Sequence, residues 1–196
     1  MANKGNAGCS LIILVLLGIY IAYDHYIVSP REKARELQEQ VDFWGQPSLD
    51  YFKDFNCGDL IESKNIRQIQ NFIVLFSGRD EDCELNEYII KDFENNHTIN
   101  EYFTRDIHKA NVIVWIDIVV GEIEGKYTNG ASAIRNKVLV KLIDKESKTI
   151  FGSQEFSATG SARDEIRRKG GDKRPEYFGK IPYNEIIEFL LAQINP

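Results

Sequence analysis

The stretch AGCSLIILVLLGIYIAY, from Ala7 to Tyr23, contains no charged residue and constrains the chain more than any other feature. In lipid, backbone N–H and C=O groups must be satisfied within the spanning structure, so a lone run of this kind has to be a helix. At 1.5 Å per residue it reaches roughly 25 Å, close to the hydrocarbon thickness of a bilayer. Tyr20, Tyr23 and Tyr26 at its far end suit the interfacial zone, where a ring sits in apolar surroundings and its hydroxyl stays wet. No convincing small-x-small cleavage pattern follows the run. Cys9 precedes it, whereas a lipoprotein signal carries its cysteine after the run. The reading is an uncleaved single-span anchor within residues 1–28. Lys4 and the terminal amine on one side, against Arg31, Lys33 and Arg35 on the other, slightly favour a cytoplasmic C-terminal domain. The usual behaviour of signal anchors favours an extracytoplasmic one, which is the reading taken.

Pro30 opens REKARELQEQVDFW, rich in helix formers with proline in a first-turn position. This predicts a juxtamembrane helix, and residues 29–70 as a whole read as helix plus linker. Glu32, Glu36 and Glu39 offset the nearby bases, so docking on anionic lipid is not expected.

Residues 71–196 read as the folded domain. Asn71 to Phe76 is an apolar run of strand length, and Leu85 to Phe93 carries apolar residues at near-helical spacing. NVIVWIDIVV is apolar on both alternating sets of positions, the mark of a strand covered on both faces. NKVLVKLID and TIFGSQEFSA read as two more strands, and PYNEIIEFLLAQI as a closing helix. Strands arriving in succession favour antiparallel neighbours. The expected fold is α+β: a mainly antiparallel sheet made of a leading strand, a helical segment, a three-strand meander and a C-terminal helix.

Hydrophobic residues make up 43% of the chain, enough for a real core, and the formal charge of −6 argues against a whole-surface nucleic-acid binder. Cys57 and Cys83 are the cysteines free to pair with each other, provided the domain faces an oxidising compartment. No Cys-x-x-Cys or histidine spacing suggests a metal, no P-loop or Gly-x-Ser-x-Gly elbow is present, and no cofactor is expected.

Asn129-Gly130 favours a two-residue hairpin turn. A turn on those residues places Glu124 opposite Arg135, Glu122 opposite Lys137 and Val120 opposite Leu139. It explains the charges of the 121–138 hairpin as cross-strand ion pairs rather than as an active site. Asp117, interrupting an apolar strand, is the acid left unexplained. It is a weak catalytic candidate as a carboxylate of raised pKa, with Glu122 a weaker one; its plainer reading is a solvent-facing or base-paired acid. The 161–180 loop holds seven bases against four acids. With the hairpin it supplies the candidate binding residues Tyr127, Arg135, Arg167, Arg168 and Tyr177.

Gly125-x-Tyr127-x-x-Gly130-x-x-Ala133-x-Arg135, followed by Gly179-x-x-Pro182-x-x-x-Ile186, resembles a group of small uncharacterised bacterial proteins, often anchored at the amino terminus. The resemblance runs from about Ala110 to Ile194 and rests on turn and core positions. It implies a fold and carries no activity. The expected function is that of a membrane-anchored accessory or binding protein, contacting a protein or envelope component through the hairpin or the late loop. The alternative is a membrane-tethered hydrolase using carboxylates. Oligomeric state is open.

Overall fold

The computed structural model describes residues 29–65, 67–79, 81–127, 130–160 and 174–194. The expected anchor, Ala7 to Tyr23, lies outside the described residues, as do Asn129, Arg167 and Arg168. Among those described, no helix is long and apolar enough to cross a membrane. The chain divides into two compact units, Met1–Gln46 and Pro47–Pro196.

The described part of the first unit is helix α1 (Ser29–Trp44), where the charged, proline-led sequence predicted it. Its exposed length carries Gln38–Asp42 and Arg35–Glu39 contacts at i,i+4 spacing, each of small energetic value. Gly45 ends it at φ 78°, its N–H bonding back to the Val41 carbonyl at 2.8 Å, a left-handed cap that glycine takes without a Cβ penalty.

The second unit begins at Pro47, not at Asn71, because residues 47–70 are tied into the domain. Helix α2 (Gln46–Phe52) is anchored by buried Ser48, whose hydroxyl donates to the Arg105 carbonyl and accepts from the Ile107 N–H. A short 3-10 turn (Cys57–Asp59) and strand β1 (Ile61–Glu62) follow. The next elements are β2 (Phe72–Ser77), helix α3 (Glu87–Glu94) and β3 (Val112–Val119). Then come β4 (Ile123–Lys126), β5 (Ser132–Arg135), β6 (Lys137–Asp144) and β7 (Thr149–Ser157). Strand β8 (Glu176–Phe178) and helix α4 (Tyr183–Ile194) complete the described chain.

The main sheet has the order β1-β7-β6-β3-β2. Its centre, β3-β6-β7, is the expected antiparallel meander. Its margins are not: β2 runs parallel to β3, and β1 runs parallel to β7. For β2 and β3 the reason lies in the segment that carries α3. Asn86 caps this helix by accepting from the Tyr88 and Ile89 N–H groups, which makes residues 78–111 a crossover long enough to return β3 alongside β2 in the same direction. The outer edge of β2 is occupied: Phe72 exchanges hydrogen bonds with Tyr102 and Thr104, and Phe76 with Glu84.

One face of this sheet presents Phe72, Val114, Ile116, Val140 and Leu142, all buried beneath α3 and α4. Phe93 of α3 lies edge-on between Phe72 and Tyr183, at 6.0 and 5.9 Å between ring centroids, and Phe156 meets Phe189 the same way. The other face carries Ser77, Trp115, Asp117 and Lys141, and it is only partly covered.

At the far end of β6, Asp144 is a buried carboxylate held by Arg67 at 3.0 Å and by the Ser147 N–H and hydroxyl at 2.7 Å each. Burial alone would raise its pKa, but the Ser147 bonds and the Arg67 charge outweigh that and hold it below its ordinary value. A lowered folded pKa gives a contribution that is full above the unfolded carboxylate pKa and lost as pH falls through the folded one. Wild type should therefore lose stability below about pH 4, and Asp144→Asn should flatten that acid limb while costing about 1.5 kcal/mol at neutral pH. Urea titrations at pH 3 and pH 7 check both.

Candidate functional site

The hairpin forms, with the expected partners but not the expected register. Tyr127 and Ala131 close it through Tyr127 N–H to the Ala131 carbonyl at 2.8 Å, so three residues rather than two lie in the loop, and Gly130 takes φ 83° at the last of them. Lys126 then faces Ser132 and Gly125 faces Ala133. A bulge at Glu124 brings Ile123 opposite Ile134, two positions from where a turn on Asn129-Gly130 would have placed it. Leu139 faces Asp117, not Val120, because the ribbon and the main sheet are separate ladders. Strands β4 and β5 join β8 in a second sheet, β4-β5-β8, with β8 parallel to β5.

The ion pairs survive this shift because long side chains reach diagonal neighbours. Arg135 forks onto both carboxylate oxygens of Glu124, and Lys137 lies 3.6 Å from Glu122 and 2.8 Å from Glu155. The bonds to Arg135 lower the Glu124 pKa, and Glu155 foremost raises that of Lys137. Arg135 also donates to the Ala158 and Gly160 carbonyls and lies over the Phe178 ring, so its guanidinium joins β4, β8 and the end of β7. Arg135→Leu should therefore speed hydrogen exchange at Ser132–Arg135 and at Ala158 together, leaving the β3–β6 ladder unchanged. An effect confined to β4 would sink this assignment.

Of the other sequence-derived binding candidates, Tyr127 is buried against Ala131, Ala133 and Phe178 in the core of the second sheet. Its hydroxyl has no hydrogen-bond partner among the described residues. Tyr177 belongs to strand β8, inside the stretch expected to be loop, and the Arg79 guanidinium lies 3.3 Å above its ring. The two weak catalytic candidates separate. Glu122 is exposed and paired with Lys137, whereas Asp117 lines a cleft.

That cleft has a volume of about 840 Å³ and lies beyond the carboxyl ends of β2 and β3. Parallel strands commonly leave a crevice at this place, because the loops after neighbouring strands diverge. Trp115 and Asp117 contribute to its lining from the partly covered face of the sheet. Phe52 to Gly58 forms one wall, and Arg79 with Glu81 to Cys83 another, and the Cys57–Cys83 disulfide, with Cα atoms 6.2 Å apart, joins the two. Trp115 is fixed by its indole N–H, which donates to the Ser77 hydroxyl at 2.7 Å. The Lys141 ammonium lies 3.7 Å from the Trp115 ring centroid and 3.8 Å from an Asp117 oxygen. Burial raises the Asp117 pKa, and Lys141 opposes that rise without cancelling it. Asp117 is thus a base-paired acid on an interior strand, as its plainer sequence reading had it.

The cleft walls escaped the sequence because residues 47–58 read as linker. One signal was available. Asp117 and Lys141 each break an apolar strand, and opposite charges at such positions mark two strands that share a face.

No group of three or more His, Cys, Asp or Glu side chains among the described residues is placed to hold a metal ion. No family model and no curated protein matches the sequence. Two solved structures show distant similarity. A Xanthomonas campestris protein of family DUF330 is 11% identical with a TM-score of 0.24, over 53% of this chain and 77% of that one. A Helicobacter pylori protein described as a neuraminyllactose-binding hemagglutinin homolog is 12% identical with a TM-score of 0.22, over 50% of this chain and 67% of that one. Neither likeness carries weight for the fold or the cleft.

Proposed function

We propose that this protein is a membrane-anchored accessory protein whose domain works outside the cytoplasm as a binding module, with the cleft beside Trp115 as its ligand site. The observation that carries this reading is the cleft itself. Its volume lies in the range of small-molecule sites, aromatic and polar side chains converge on it, and a covalent bond sets the spacing of two walls. The disulfide supports an oxidising compartment, and the uncharged Ala7 to Tyr23 stretch supports an anchor. The hairpin charges are engaged with one another, which moves the expected contact surface from the ribbon to the cleft.

The test is native mass spectrometry of full-length protein released gently from the membranes of its own cells. Wild type should carry a bound small molecule that Trp115→Ala loses. An adduct retained by the variant, or none in wild type, would overturn the reading.

A second reading, a tethered hydrolase, draws on one observation: Asp117 is a carboxylate of raised pKa within a cleft. Loss of turnover in an Asp117→Asn protein of normal stability would favour it over binding alone.

A further inference from the structure

The two edges of the main sheet are unlike. The β2 edge is occupied, whereas β1 is only two residues long and pairs with Thr149 and Ile150 of the nine-residue β7. From Phe151 onward β7 has β6 on one side and no strand on the other among the described residues. Phe151 is the extra residue of a bulge, and Gly152 to Ser157 then run in regular register with β6. Ser153, Gln154 and Glu155 are exposed.

Hydrogen bonds at the two ends of β7 fix which backbone groups point outward. The Ile150 carbonyl accepts from the Ser63 N–H on the outer side at 2.7 Å, and the Ala158 N–H donates inward to the Asn136 carbonyl at 3.0 Å. Alternation back from Ala158 turns the N–H and C=O of Ser153, Glu155 and Ser157 outward. Apart from a 3.5 Å contact between the Glu155 carbonyl and the Gln154 amide, these groups have no hydrogen bond among the described residues.

Such an edge takes another strand, and its own sequence favours a second β7. In a two-fold antiparallel pair outward residues must face outward residues, so the axis passes through a residue position and not between two. An axis at Glu155 sets that carboxylate against its own copy. An axis at Ser153 brings Phe156 to Ile150, which β1 already covers. Axes further along run off the strand, which ends at Ser157. An axis at Gln154 avoids all three. It sets Gln154 against Gln154, Ser153 against Glu155 and Gly152 against Phe156. Amides donate and accept, a hydroxyl donates to a carboxylate, and a glycine leaves room for a ring. With the β2 edge occupied, pairing stops at two copies.

We infer that two copies of this chain join through their β7 edges, centred on Gln154, into a two-fold dimer with one sheet running across both. This goes beyond the cleft reading and does not depend on it.

The test is oxidative crosslinking of full-length protein in the membranes of its own cells, with Cys9→Ser throughout. In the Gln154→Cys protein the two Cα atoms should lie about 4.5 Å apart, and a disulfide dimer of twice the chain mass is expected. In the Ser157→Cys protein they should lie about 20 Å apart and give none. Adding Ser153→Pro removes an outward N–H and leaves the β6 ladder intact. It should cut the Gln154→Cys dimer at least fivefold, with unchanged far-UV circular dichroism. No dimer from Gln154→Cys, or equal yields at both positions, would overturn the inference. So would a dimer undiminished by the proline, or a product of another mass, which would assign the edge to a strand of a different protein.

Discussion

The Cys57→Ser, Cys83→Ser double variant is expected to lose about 3 kcal/mol of unfolding free energy, because the bond closes a loop across 26 positions of sequence and so restricts the unfolded chain. The loss should appear as a lower urea midpoint. Reducing the wild type should reproduce it, and reductant should do nothing further to the double variant. Its reach is functional as well as thermodynamic. The bond joins the Phe52–Gly58 wall to the loop after β2, so its removal should weaken ligand retention more than the same free-energy loss placed elsewhere. If reduced and oxidised proteins unfold at the same urea concentration, the bond does not constrain the domain and the cleft has no covalent brace.

Phe93→Ala provides that comparison and should cost about 3–5 kcal/mol, as expected for emptying a phenylalanine site in a packed core. Phe93 is fully buried and touches rings on two other elements, Phe72 of β2 and Tyr183 at the start of α4. Its loss therefore loosens the covered face of the sheet while leaving the cleft side untouched. Tyr88 sits on the same helix but is 70% exposed, and Tyr88→Ala should change stability by no more than about 0.5 kcal/mol. Similar costs for the two would mean that α3 does not pack as described. If a Phe93→Ala protein still binds ligand at a temperature where it remains folded, the cleft depends on its own walls rather than on global stability.

Much of the domain was legible because burial leaves a periodic trace. Val112 to Val119 is apolar at both alternating sets and lies inside the sheet, and Ile186, Ile187, Leu190 and Ile194 keep helical spacing and face the core. Strand direction was legible only where neighbours are antiparallel. The parallel pairing of β2 with β3 depends on α3, a helix of eight residues, too short for its pattern to rule out a strand.

The hairpin register could not be read from Asn129-Gly130, since glycine accommodates positive φ in two-residue and three-residue loops alike. The two ion pairs were foreseen all the same, because an arginine or lysine side chain spans an error of one or two positions. The cleft was least legible. Its walls come from segments without periodicity, fixed by a disulfide, by buried Ser48 and by the Trp115–Ser77 bond, all contacts between residues far apart in sequence.

The occupied edge of β2 has one more consequence. Copies of a protein tethered in a membrane share a thin layer, so their domains meet at an effective concentration far above that in bulk solution. In such a layer an open strand edge would invite sheet-to-sheet pairing between neighbours. The bonds from Phe72 to Tyr102 and Thr104, and from Phe76 to Glu84, already occupy the outward backbone groups of Phe72 and Phe76. Under the proposed anchoring, residues 84 and 102–104 would shield this edge from lateral pairing at high surface density.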